Sequence, residues 1–225
     1  MKKKQSLYII LAVTLLSLAV TLIDAFIAPA YFVKVLFKVI FFLLIPMSYF
    51  FFFKSEKEGF KKLFRFQKQT MLKALLFGVA IYAVILGGYF LTRNYFDYSG
   101  IVSSIGKMGI DGDNFLYVSI YIALINSFLE EFFFRGFGFI TLSAHTGKRF
   151  AYIFSSALFA VYHAGMMRGM FELPILILVF VGLFIGGCIF NYLNGSSENI
   201  YTSWAAHMFA NFAINTVGFI VLGVI

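Results

Sequence analysis

Charge is scarce in this sequence. Only 12% of its 225 residues are Asp, Glu, Lys or Arg, against about a quarter in a soluble domain. That shortage excludes a disordered chain, a coiled coil and an ordinary cytosolic globule. Cysteine is scarcer still: the single Cys188 has no partner for an internal disulfide. It lies in the apolar run 183–192 and reads as a small core residue rather than a nucleophile. There are three Pro and three His, but 32 Phe and 13 Tyr. Hydrophobic residues make up 61% of the chain, and mean hydropathy is +0.91. So much apolar surface cannot hide inside 25.5 kDa, so the bilayer is the expected solvent. The net charge of +8 fits basic loops meeting anionic headgroups better than it fits nucleic acid, and no nucleic-acid partner is expected.

A helix crosses the hydrocarbon in about 20 residues. Seven stretches qualify or nearly qualify: Leu7–Ala28, Phe32–Phe53, Leu72–Leu91, Phe115–Leu142, Phe150–Met166, Leu173–Leu193 and Ile200–Ile225. They are apolar all round, without the alternation of barrel strands, and no internal repeat is visible. The expected fold is therefore all-α, a polytopic transmembrane bundle of about seven spans around an intramembrane polar cavity. Met1-Lys2-Lys3-Lys4 resembles the start of a signal peptide. The apolar run that follows has no clear small-x-small cleavage site beside it, so a retained first span is expected. Lys2–Lys4, the 54–73 loop with its seven Lys and Arg, and Lys148-Arg149 share one side if the spans alternate. Asp97, Asp111 and Asp113 lie opposite, with Arg93, Lys107 and Arg168. The positive-inside rule then places the N-terminus in the cytoplasm and the C-terminus outside, in a bacterial plasma membrane as the working expectation. Lys34 and Lys38 fit poorly at the outer start of span two; outward snorkelling or a re-entrant hairpin are the two readings. The 56–69 loop sets Phe60, Leu63, Phe64 and Phe66 among lysines. It reads equally as an amphipathic helix on the inner leaflet and as a solvated connector.

Ionisable side chains inside a span are costly and are functional or paired. Asp24, late in span one, reads as a cap before Pro29. His145, in the short loop after span four, reads as solvated. The remaining candidates cluster. Span four contains Glu130-Glu131-x-x-x-Arg135. Neighbours on a helix point about 100° apart, so the two acids cannot share a role. Glu131 and Arg135 share a face in the favourable order for an ion pair. Glu130 is left without a cation on its own helix; Asn126 is its neighbour four back. Span five contains Phe159-x-x-x-His163, and span seven contains His207-x-x-x-Asn211. At 1.5 Å per residue, Glu130, His163, His207 and Asn211 lie about 18, 20, 10 and 16 Å from the basic side. They are expected to meet in one layer. A carboxylate, two imidazoles and an amide in a dry cavity are parts for water activation and oxyanion stabilisation.

Those three motifs, in this order and each on an apolar segment, resemble the signature of the CAAX-protease and bacteriocin-processing (CPBP, Abi) family of intramembrane endopeptidases. The resemblance covers about 115–225. It implies a helical bundle with a conical, cytoplasm-accessible cavity. Glu130 and His163 would activate water, His207 and Asn211 would stabilise the oxyanion, and Glu131 and Arg135, with Phe159, would support the site. It also implies a division into N-terminal spans at 1–113 and a catalytic core at 114–225, expected to form one structural unit. The implied partners are membrane lipids and a membrane-associated or lipidated peptide. Other protease signatures are missing: there is no His-Glu-x-x-His and no Gly-x-Ser-x-Gly, and Gly112-Asp113 lies in a polar loop. The family is often labelled a metalloprotease. Glu130, His163 and His207 would then be the zinc ligands, but that use removes the obvious general base. The metal-free division is favoured here, with zinc as the alternative. Three rival readings remain. One is a transporter with a buried polar pathway. Another is a self-immunity factor that acts by binding. The third is a scaffold whose polar residues merely join helices.

Overall fold

The computed structural model describes residues 2–27, 29–167 and 170–225. Arg168, and the Ala28 end of the first expected span, lie outside them. Lipid offers backbone N–H and C=O groups no partners, so an apolar chain must satisfy them within its own helices. Among the described residues there is accordingly no strand. The helices are α1 (Lys2–Leu22), continued by a π turn Ile23–Ile27; α2 (Tyr31–Phe52); α3 (Lys57–Leu63); α4 (Lys68–Thr92); and α5 (Ser99–Lys107). Then come α6 (Phe115–Thr141), α7 (Lys148–Met166), α8 (Leu173–Ser197) and α9 (Tyr201–Val221).

Six of these (α1 with its π turn, α2, α4, α6, α8 and α9) are long and apolar enough to cross a bilayer. The remaining long helix, α7, is 19 residues, or about 28 Å at 1.5 Å per residue. Lys148, Arg149, Ser155, Ser156 and His163 lower its hydropathy. It packs against α6 through the Ser155 hydroxyl, which donates to the Phe134 carbonyl oxygen at 2.7 Å, and against α8 along its length. Leu11, Leu15, Leu18 and Leu22 of α1 are exposed at helical spacing, as are Leu72, Leu76 and Val79 of α4 and Ile177, Val181 and Ile185 of α8. Such stripes face lipid. The protein is an integral membrane protein.

The core is aromatic and centred on α6. Phe42 of α2 stacks on Phe133 at 4.1 Å between centroids and meets Phe134 and Tyr162 edge-on at 5.6 and 5.3 Å. α4 pairs with α9 through Thr70–Thr202 and Tyr82–Thr216 hydroxyl bonds of 2.9 and 3.2 Å. α7 and α8 come closest at Gly187, where a Cβ would stand 3.1 Å from Ser156 Cα; small residues set this approach. Asn191 of α8 bridges the same seam to the Tyr152 carbonyl oxygen and the Ser156 hydroxyl at 2.9 and 3.0 Å.

The structure revises several readings of individual residues. α3 turns its aromatic side inward: Phe60 and Phe64 pack on Phe50 and Phe132, and Leu63 is fully buried. Phe66 alone of that set is largely exposed. Asp24 is no cap. It pairs with Lys34 across the α1–α2 hairpin at 3.0 Å, because an unpaired acid and an unpaired lysine at that depth each cost more than the pair. His145 is not solvated. Its side chain is 6% exposed, 3.4 Å from Glu56 and from the Tyr49 hydroxyl, and Gln5 donates to the same Glu56.

Candidate active site

The backbone changes register where the site begins. α2 is α-helical over Tyr31–Lys38 and widens to a π segment at Val39–Leu44. α6 is α-helical over Ser127–Glu130 and π over Glu131–Thr141. Lys38 and Glu130 are thus the last residues before two π segments. Such widenings re-aim side chains, and they recur at functional sites. Counted from the basic end at 1.5 Å per residue, Lys38, Glu130, His163 and His207 lie about 21, 16, 22 and 9 Å deep. Side-chain reach closes the remaining offset.

Glu130 is 1% exposed, and its two oxygens have different neighbours. Oε1 accepts from Asn126 Nδ2 at 2.9 Å, Lys38 Nζ at 3.3 Å and the Tyr162 hydroxyl at 3.5 Å. Oε2 has no hydrogen-bond donor among the described residues. It faces His163 Nε2 at 3.4 Å and His207 Nε2 at 3.8 Å. The far nitrogens fix the ring roles. His163 Nδ1 is 2.8 Å from the Phe159 carbonyl oxygen, which only accepts, so Nδ1 donates. His207 Nδ1 is 2.8 Å from Glu131 Oε1 and likewise donates. In the neutral rings both Nε2 atoms are lone pairs. Three acceptors therefore converge on one point.

Glu131 does not face away from this site. It lies 3.5 Å from Arg135 Nη1, but its nearer partners are His207 and the Ser203 hydroxyl. Asn194 donates to Ser203 Oγ at 2.7 Å and accepts from the Ser203 N–H at 3.2 Å. This buried network from α8 through α9 to α6 fixes the His207 ring. Arg135 is fully buried and is boxed by Phe159, Phe190 and Phe134 at 4.0, 5.0 and 5.9 Å. Phe159 also meets His163 at 4.3 Å, and Phe190 stacks on His207 at 4.9 Å. These rings exclude water and give the arginine cation–π contacts.

Asn211 is positioned differently from the triad. Its amide donates to the Ile122 carbonyl oxygen at 3.1 Å, and Asn215, one turn on, donates to the Ser119 carbonyl oxygen at 2.9 Å. Both clamp α9 to α6, and the second Asn211 N–H is left over. Four residues of the site escaped the sequence reading: Lys38 as a partner of Glu130, Tyr162, Ser203 and Phe190. Ser203 had a signal, since 203, 207, 211 and 215 form a polar stripe at helical spacing. Lys38 had one as well, being a lysine within an apolar run. It neither snorkels outward nor marks a re-entrant loop; it turns inward because Glu130 needs a cation.

One carboxylate and two imidazoles are zinc donor types, yet this set does not fit zinc. Ligands at about 2.0–2.1 Å put tetrahedral neighbours about 3.3–3.4 Å apart. The His163 separation meets that value, but the His207 separation of 3.8 Å does not. The Lys38 ammonium is also 3.3 Å from the carboxylate that would offset the metal's charge.

The bundle thus holds a buried Glu130–His163–His207 centre, braced by the Glu131–Arg135 pair. Residues 112–213, just under half of the chain, match the model of the family described as type II CAAX prenyl endopeptidase Rce1-like. Over this segment the chain is similar to that family, in agreement with the motif resemblance to the CAAX-protease (CPBP) intramembrane proteases. Comparison with curated proteins and with solved structures gave no match.

Proposed function

We propose that this protein is an intramembrane endopeptidase that hydrolyses a peptide bond of a membrane-associated or lipidated substrate. The observation that carries the reading is the division of labour within Glu130. Oε1 is saturated by Asn126, Lys38 and Tyr162, while Oε2 points at two imidazole nitrogens. Three converging acceptors suit a water molecule, which donates to two of them and presents a lone pair to a carbonyl carbon. Glu130, assisted by His163, takes the proton as water oxygen bonds to that carbon. The same proton passes to the leaving nitrogen as the C–N bond breaks. His207 takes a proton from solvent before substrate binds; as imidazolium, with Nδ1–H held by Glu131, it donates from Nε2 to the oxyanion, and Glu130 Oε2 and His163 Nε2 are the two acceptors that hold the water. The spare N–H of Asn211 is the proposed second donor.

No step uses a metal. Exhaustive chelation of the purified protein should leave activity unchanged. Activity lost on chelation and restored by zinc would contradict the metal-free division while sparing the protease reading. The positive-inside distribution supports a cytoplasmic N-terminus and an external C-terminus. The prenylated CAAX peptides named in the family description are the first substrates to try. The test is to incubate purified protein in lipid vesicles with prenylated and unprenylated peptide libraries in ¹⁸O-water. Products with ¹⁸O in the new carboxylate are expected. No cleavage of any membrane-associated peptide would reject the reading.

A further inference from the structure

Lys38 stands outside the matched segment 112–213, on a helix that carries none of the recognised motifs. Its side chain is 12% exposed inside an apolar span. Nζ donates to Asn126 Oδ1 at 2.8 Å and to Glu130 Oε1 at 3.3 Å, and lies 5.5 Å from the Tyr162 ring centroid. Asn126 in turn donates to the same Glu130 oxygen at 2.9 Å. The three groups form a closed triangle in which ammonium and amide both donate to Oε1.

We propose that Lys38 is a positioning residue of the active site: it clamps Glu130 Oε1 and so directs Oε2 at the two imidazoles. This rests on the protease reading above. A carboxylate turns about its last bond at little cost, so an unclamped Glu130 presents either oxygen to either partner. The clamp removes that freedom. The backbone supports the same assignment. One turn after Lys38, Phe42 stacks on Phe133 at 4.1 Å, which locks α2 to α6 in the register that the Lys38–Glu130 contact requires. Lys34, one turn earlier, is taken by Asp24 at 3.0 Å and does not substitute. The N-terminal spans therefore supply part of the site rather than only its frame.

The test compares full-length wild type, Lys38→Met, Lys38→Arg, Glu130→Gln and the Lys38→Met/Glu130→Gln double variant. All are assayed in vesicles on the best-cleaved library peptide, with thermal unfolding measured in parallel. Lys38 does not touch substrate, so kcat should fall while KM stays within about twofold. Outer groups that orient a reacting residue are typically worth about 10–100-fold; Lys38→Met should lose that much. Lys38→Arg, which keeps the charge but moves the donors, should fold like wild type and lose an intermediate amount. Glu130→Gln should cost far less on the Lys38→Met background than on wild type. If Lys38→Met does not fold, Lys38→Arg decides alone. Wild-type kcat in Lys38→Arg, or in a folded Lys38→Met while Glu130→Gln is inactive, would overturn the positioning role. An inactive wild type would overturn the protease reading and this inference with it.

Discussion

The second acid of the pair does more than neutralise an arginine. Glu131 joins Arg135, Ser203 and His207, so removing any one member disturbs the imidazole that faces Glu130. Arg135→Ala leaves Glu131 buried without its cation. Loss of one partner of a buried pair costs about 3–5 kcal/mol, so thermal stability and expression should drop together with activity. Glu131→Gln combined with Arg135→Met should recover stability relative to Arg135→Ala; a less stable double variant would show that the pairing is wrong. At this scale the sequence was informative wherever an ionisable group stood in an apolar run. Glu130, His163 and His207 were legible for that reason, and they meet. Lys38 was equally visible, but its partner was not. The contact spans 92 positions between helices whose packing no local pattern encodes. His145 and Asp24 were misread for the same reason, since each finds its partner on another element. The different surroundings of Glu130's two oxygens, on which the proposed chemistry depends, exist only in three dimensions.

Among the elements, the spans could be placed within a few residues because hydropathy alone sets them. Their internal geometry was not readable. Segments that are apolar on every side carry no period, so nothing in the sequence separates α from π, and the π segments after Lys38 and Glu130 were invisible. The nine-residue α5 lay in a loop whose polarity hid it. The α7–α8 seam makes a prediction of its own. At Gly187 a Cβ would stand 3.1 Å from Ser156 Cα and 3.4 Å from Arg135 Nη2. One face of the clash is backbone, which cannot swing aside as a side chain does. Gly187→Leu should therefore separate the two helices, displace Arg135 and abolish activity with a clear fall in melting temperature. Gly187→Ala should show a milder version of both. A leucine variant with wild-type activity and stability would contradict the close approach.

At the scale of the whole molecule, the six apolar spans, with α7 as a proposed seventh crossing and the basic loops proposed on one side, make a topology that labelling can read. Cys188 is the single cysteine, and the proposed chemistry uses no thiol. Cys188→Ser should keep activity and provide a cysteine-free background. New cysteines near residue 60 and near residue 97 should then react with impermeant reagents from opposite faces of sealed vesicles. Reaction of both from the same face would break the proposed order of crossings. α2, from the N-terminal spans, packs on α6 and α7 through Phe42 and its ring partners Phe133 and Tyr162. The central claim is that Glu130 takes the proton of the attacking water. It is tested most directly by turnover of purified Glu130→Gln against wild type on one membrane-anchored peptide, with melting temperatures measured on the same samples. The amide keeps the shape and cannot accept that proton. General-base contributions run at about 10²–10⁴ in rate, so the account predicts a loss of that size in a folded, membrane-inserted variant, whereas turnover near that of wild type would contradict it.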